Sequence, residues 1–158
     1  MGRLMQHIQV EREDAAAIVK LARPKANALN QRMVEELATA MEELAACSDV
    51  RAVVLGSEQP KFFSSGFDVA DVFSFDRAAM HAFFGRFLDV VGRLQAFPKP
   101  TVAAVNGHAF AGGAVLALAC DFRIMADGPF GFALNEINLG IAVTPRSEER
   151  RVGKECRL

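Results

Sequence analysis

Runs of apolar residues, interrupted at regular points by polar clusters, divide most of the chain into short strands and helices. Ile8–Val10 and Ala15–Leu21 are apolar stretches separated by the polar Glu11, Arg12, Glu13 and Asp14, the pattern of two strands joined as a hairpin. The loop RPKANALN follows, and its Asn30 is placed to cap a helix. From Gln31 to Ala46, apolar residues fall at Met33, Val34, Leu37, Ala40, Met41 and Leu44, which is amphipathic helical spacing. Ala52–Leu55 is a continuous apolar run closed by Gly56, as in a buried parallel strand. Gln59–Asp68, dense in Phe, Ser and Gly, reads as a loop. Arg77–Phe97 reads as a long helix with Met80, Phe83, Phe84, Phe87, Leu88, Val91 and Leu94 on one face, stopped by Pro98 and Pro100. Thr101–Val105 is a strand, Asn106-Gly107 a turn, and Gly112-Gly113 opens an apolar helix over Ala114–Ala119. Asp121–Ala126 and Phe130–Leu134 are two further strands around the turn Asp127-Gly128-Pro129. Strands alternating with helices predict an α/β protein.

Composition narrows the function. At 158 residues, 51% hydrophobic and 23% charged, the chain has an ordinary globular composition and suits one domain. A net charge of −1 offers no electrostatic basis for nucleic-acid or anionic-membrane partners. The longest apolar candidate, Ala109–Cys120, contains Gly112 and Gly113 and ends at Asp121, so no membrane span is expected. The N-terminal MGRLMQHIQVERED lacks the apolar core of a signal peptide. Cys47, Cys120 and Cys156 are dispersed and fit reduced thiols, which points to a cytoplasmic protein. His7, His81 and His108 are equally scattered, so no metal site is expected.

The last thirteen residues, RSEERRVGKECRL, carry five basic and three acidic side chains directly after the apolar stretch ending at Pro145. A solvated tail and a basic interaction tail are two readings. The third is that the segment is not natural protein, because RSEERRVGKEC resembles the translation of a sequencing adapter. We therefore divide the chain into a core over residues 1–145 and a non-native tail over 146–158, with the natural protein interrupted near Pro145.

Three stretches can carry chemistry. TVAAVNGHAFAGG places a strand, a turn and two glycines before a helix, whose first N–H groups are unpaired and favour negative charge. Neither GxxxxGK[ST] nor GxGxxG occurs, so an oxygen that gains charge during reaction competes with tight helix–strand packing as the reason for the glycines. FFSSGFD, Phe62–Asp68, is a turn with hydrophobic anchors or a second backbone donor. FALNEINLGI places Glu136 among apolar residues, where burial would raise its pKa and suit it to proton transfer; an exposed loop glutamate is the alternative. No GxSxG elbow supports a serine nucleophile, Ser64 and Ser65 have no identifiable base, and Cys120 reads as a small core residue. Most of the thirteen Phe read as core, while Phe67, Phe73 and Phe84 are candidates to line an acyl pocket.

RPKANALN, FFSSGFDVADV, KPTVAAVNGHAFAGGAVLALACDFRI and FALNEINLGI occur in that order, and together they resemble the enoyl-CoA hydratase/isomerase (crotonase) family from about His7 to Thr144. The resemblance implies a crotonase-like spiral of ββα repeats, incomplete at the C-terminus, in a protein that forms trimers or pairs of trimers. It implies that the backbone N–H groups of Phe67 and Gly112 stabilise a thioester enolate. Ala26, Ala28, Ser65, Gly66, Asp68, Gly113 and Val115 would lie along the bound acyl-CoA, whose coenzyme A is part of the substrate, with no separate cofactor. Family hydratases use two glutamates. The second matches Glu136, while the first position is Val115, which cannot transfer a proton. This combination resembles the Δ3,Δ2-enoyl-CoA isomerase branch, with Glu136 as the single proton shuttle. An enoyl-CoA hydratase of fatty-acid β-oxidation, a non-catalytic acyl-CoA-binding homologue and an inactive fragment are the alternatives. Ala111 stands where hydratases often have a third glycine.

Overall fold

The computed structural model describes residues 5–134. Glu136 and the tail over 146–158 lie outside the described residues.

Strand β1, Ile8–Glu13, and strand β2, Ala16–Leu21, form an antiparallel hairpin that closes on Asp14 and Ala15. The predicted connection Glu11–Asp14 is thus mostly strand. Polarity was a poor guide because β1 is an edge strand whose residues after Ile8 face solvent. Asp14 turns the chain at φ +51°, a conformation that a short polar residue tolerates.

Helix α1, Gln31–Ala46, begins where expected, with the Asn30 side chain accepting the Met33 N–H at 2.9 Å. Its buried stripe of Met33, Val34, Leu37, Ala38, Ala40, Met41 and Leu44 follows the predicted spacing. Each large side chain in such a stripe contributes about 2 kcal/mol by leaving water. Lys99 donates to the carbonyls of Leu44 and Cys47 at the far end of α1, both at 2.6 Å. Cys47 and the fully buried Cys120 form no disulfide among the described residues, and Cys120 lies in the core as read from the sequence.

Beyond α1, the chain repeats one itinerary. Strand β3, Ala52–Ser57, joins the main sheet; strand β4, Phe62–Ser64, starts a second sheet; helices α2, Val69–Phe73, and α3, Arg77–Gln95, return. Strand β5, Thr101–Val105, re-enters the main sheet, β6, His108–Phe110, the second, and α4, Gly112–Ala119, leads back. Strands β7, Phe122–Met125, and β8, Phe132–Ala133, take the same two places. The main sheet runs β1-β2-β3-β5-β7, parallel after the hairpin, and the second runs β4-β6-β8, parallel throughout. This is the ββα spiral that the resemblance implied. The predicted loop Gln59–Asp68 therefore contains β4, and His108–Phe110, between the predicted turn and helix, is β6. Two-to-three-residue strands are too short to show a period.

Val19, Leu55 and Ala103 stand in register across the main sheet and are buried with the inner faces of α1 and α3. On the opposite side, Ile18, Val54, Val102 and Phe122 form a second apolar row that ends at the exposed Phe122. Helix α4, GGAVLALA, is buried on nearly all sides, as an all-apolar helix must be. Gly107 is the point where successive repeats touch: a Cβ there would lie 2.3 Å from the Lys61 carbonyl carbon. No helix of the described residues is long and apolar enough to cross a membrane.

Candidate active site

The site is built where β4 leaves the second sheet and where β6 passes into α4. After Ser64 the chain turns through Gly66 at φ +93°. The Leu29 N–H donates to the Gly66 carbonyl at 2.7 Å, and the Asp68 N–H donates to the Leu29 carbonyl at 2.9 Å. Leu29 and Phe67 thus form an isolated parallel bridge. In such a bridge the residue between the two bonded groups directs its own N–H to the other side. The Phe67 N–H consequently points away from Leu29, and it has no acceptor among the described residues.

The second segment opens α4. Ala111 donates its N–H to the Ala133 carbonyl at 3.0 Å, tying the turn to β8, and its carbonyl accepts from Val115 at 3.0 Å. The N–H of Gly112, at the first position of the helix, has no acceptor among the described residues and carries the positive end of the helix dipole. The two segments abut. A Cβ on Gly66 would lie 3.5 Å from the Gly112 nitrogen, and one on Gly112 would lie 3.0 Å from the Phe67 ring. Glycine at both positions lets the backbones approach each other. Two main-chain N–H groups without an acceptor among the described residues thus lie on neighbouring segments.

The walls are aromatic and apolar. The Phe67 ring meets Phe83, Phe84 and Phe87 of α3 edge-on, with centroids 5.6, 5.1 and 4.8 Å away. Phe84 is half-buried, whereas Phe73 is 84% exposed, so of the three acyl-pocket candidates Phe73 stands apart from this cluster. Val115 is buried in the first turn of α4, so that turn offers an apolar surface rather than a carboxylate.

The loop over residues 23–28 forms the third side. The Ser65 N–H donates to the Ala26 carbonyl at 2.9 Å, and Arg23 donates to the Ala28 carbonyl at 2.8 Å. Arg23 also pairs with Asp68, which caps α2 by accepting from the Ala70 and Asp71 amides. Partial burial pushes the Asp68 carboxyl up. The Arg23 hydrogen bond and charge with the two cap amides outweigh it, and hold its pKa below the ordinary value. Ala26, Ala28, Ser65, Gly66, Phe67, Asp68, Gly112, Gly113 and Val115 are therefore brought together, and Glu136 lies outside the described residues.

Asn27 was missed by the sequence reading and organises this loop. It is fully buried at φ +50°. Its Oδ1 accepts the Arg23 N–H at 2.8 Å, and its Nδ2 donates to Ser57 Oγ at 2.7 Å and to the Phe63 carbonyl at 3.0 Å. The signal was available: an amide side chain that tolerates the left-handed region, between two alanines in a loop leading into a helix. Among the described residues no group of three or more His, Cys, Asp or Glu could hold a metal ion.

Residues 11–155 match the enoyl-CoA hydratase/isomerase family. The chain belongs to this family. It is 34% identical over 135 residues to the mitochondrial enoyl-CoA delta isomerase 1 of Mus musculus, covering 85% of this chain and 47% of the mouse protein. It is 35% identical over 143 residues to the short-chain-enoyl-CoA hydratase of Clostridium acetobutylicum, covering 87% of this chain and 52% of that enzyme. The crystal structure of human mitochondrial delta3-delta2-enoyl-CoA isomerase superposes with a TM-score of 0.84 at 32% identity, over 88% of this chain and 55% of the human one. The enoyl-CoA hydratase of Bacillus anthracis gives a TM-score of 0.82 at 29% identity, over 86% of this chain and 53% of that one. The chain thus spans about half the length of the enoyl-CoA hydratase/isomerase relatives it matches. Both isomerases and hydratases are among them, so the likeness assigns the family and the crotonase fold, not the reaction.

Proposed function

We propose that the parent protein is a Δ3,Δ2-enoyl-CoA isomerase. The observation that carries this reading is the pair of acceptor-free main-chain N–H groups, Phe67 and Gly112, on abutting segments beside an apolar Val115. A 3-enoyl thioester seated with its carbonyl oxygen between the two donors loses a proton from C2 to Glu136. The electron pair moves into the thioester, and the enolate oxygen takes its charge against both N–H groups. Each such donor in a dry site is worth about 3 kcal/mol in the transition state. Glu136 then returns the proton at C4, leaving the double bond between C2 and C3. Hydration would call for a second carboxylate to hold and activate water, and Val115 supplies none.

The same reading takes acyl-CoA as the substrate, with coenzyme A entering as part of it and no further cofactor, in a cytoplasmic protein. It also takes a homotrimer or a pair of trimers as the assembly. The exposed Phe122 and Ile124 on the last strand of the described main sheet support association.

Assaying the protein against 3-enoyl-CoA and 2-enoyl-CoA tests the proposal. Isomerisation of the former, abolished in Glu136→Gln, is expected. Rapid hydration of the latter would make the protein a hydratase. Tight binding of both without turnover would make it a non-catalytic acyl-CoA-binding protein.

A further inference from the structure

We infer that Ser64 is a positioning residue of this site, whose hydroxyl and β-carbon hold the two donor-bearing segments in register with each other. The inference rests on the two-donor reading above and goes beyond it by naming what sets the donors' geometry. Ser64 is fully buried at the end of β4, three residues before Phe67. Its Oγ donates to the Asn27 carbonyl at 2.8 Å and accepts the Gly66 N–H at 3.2 Å. Asn27 is a fixed reference, because its side chain is held at both ends by Arg23, Ser57 and Phe63. Gly66, at φ +93°, is the least constrained residue of the turn. The hydroxyl therefore transfers the rigidity of the buried asparagine to the one residue whose freedom would let the next N–H, that of Phe67, swing.

The other side of Ser64 meets α4. A Cβ on Gly113 would lie 2.6 Å from Ser64 Cβ and 2.8 Å from its Oγ, so the first turn of α4 rests directly on this side chain. One residue thus touches both the segment that carries the Phe67 N–H and the helix that starts with the Gly112 N–H. A nucleophilic role does not fit, since the only proton of the hydroxyl is committed to the Asn27 carbonyl. Misplacing a main-chain donor by a fraction of an ångström weakens it without removing it, so Ser64 governs the strength of the pair rather than its existence.

The test reads polarisation of a bound thioester and does not depend on turnover. Hexanoyl-CoA labelled with carbon-13 at the thioester carbonyl is bound to the whole protein, and the carbonyl stretch is recorded by difference infrared spectroscopy. In the wild type the stretch moves to lower frequency than in solution. In Ser64→Ala at least half of that shift is lost, while affinity stays within about threefold because most of the contact area is unchanged. Ser64→Cys, which keeps most of the volume with a weaker donor and acceptor, gives an intermediate shift and carries the test should the alanine variant not fold. Circular dichroism establishes which variants are folded. A folded variant that retains the full wild-type shift overturns the inference. A wild-type protein that does not bind the probe, or binds it with no shift, overturns the two-donor reading itself, and the inference with it.

Discussion

At the scale of the residue, Ala111 and Gly66 are a mismatched pair. Ala111 sits at φ +46°, ψ −124°, a region open to glycine and strained for a side chain, while Gly66 faces it across the site. A non-glycine residue held there costs about 1–3 kcal/mol, and the extra freedom glycine gives the unfolded chain offsets up to about 1 kcal/mol of any relief. Ala111→Gly is therefore expected to stabilise the protein by about 1 kcal/mol in urea unfolding. Gly66→Ala places a Cβ 2.8 Å from Ala111 Cβ and 3.0 Å from the Phe110 carbonyl oxygen at φ +93°. It should destabilise by about 2 kcal/mol or more. Because one clash partner is the Ala111 methyl itself, Gly66→Ala should be milder in the Ala111→Gly background. A double-mutant cycle that showed plain additivity would contradict the contact.

At the scale of the element, what could be read from the chain was what repeats within it. Helix α1 announced both its face, through Met33 to Leu44, and its start, through Asn30. Asn30→Ala is accordingly expected to lower stability by about 1 kcal/mol in chemical denaturation. Strands β3 and β5 were legible as apolar runs, but β4 and β6 were not, since three residues cannot display alternation and their pairing is with each other. Asn27 left a trace in its loop setting, but the buried role of Ser64 was not legible, because a serine looks alike in sequence whether it faces water or a packed turn. The family was recognised from the order of four motifs, and the backbone site is proposed from it. Taken singly, SSG and AGG each left a packed turn and a backbone donor as alternatives. Gly107 illustrates the difference: NG reads as a turn, and only the fold shows Lys61 pressed against it.

At the scale of the whole molecule, two carboxylates tie distant parts of the chain together, and both make stability depend on pH. Glu36 of α1 accepts the backbone N–H of Gln6 and His7 before β1, as well as Arg32. Burial pushes its carboxyl up, but these donors outweigh that and hold its pKa below the ordinary value. Asp68 likewise ties the loop at Arg23 to α2 with a lowered pKa. Groups whose pKa is depressed by folding add stability that is present above the unfolded carboxyl value, about 4, and is lost as pH falls through the lower folded value. Thermal unfolding temperature should therefore fall as pH drops below about 4. Glu36→Gln should flatten part of that fall, and an unchanged slope would exclude Glu36 as a contributor. The placing of Phe67 and Gly112 has a different consequence, for heredity. An N–H group on the main chain is supplied by every codon except those for proline. If the two groups act as proposed, selection at these positions acts on side-chain fit alone, and a lineage can rewrite its lettering there while inheriting the same pair of N–H groups.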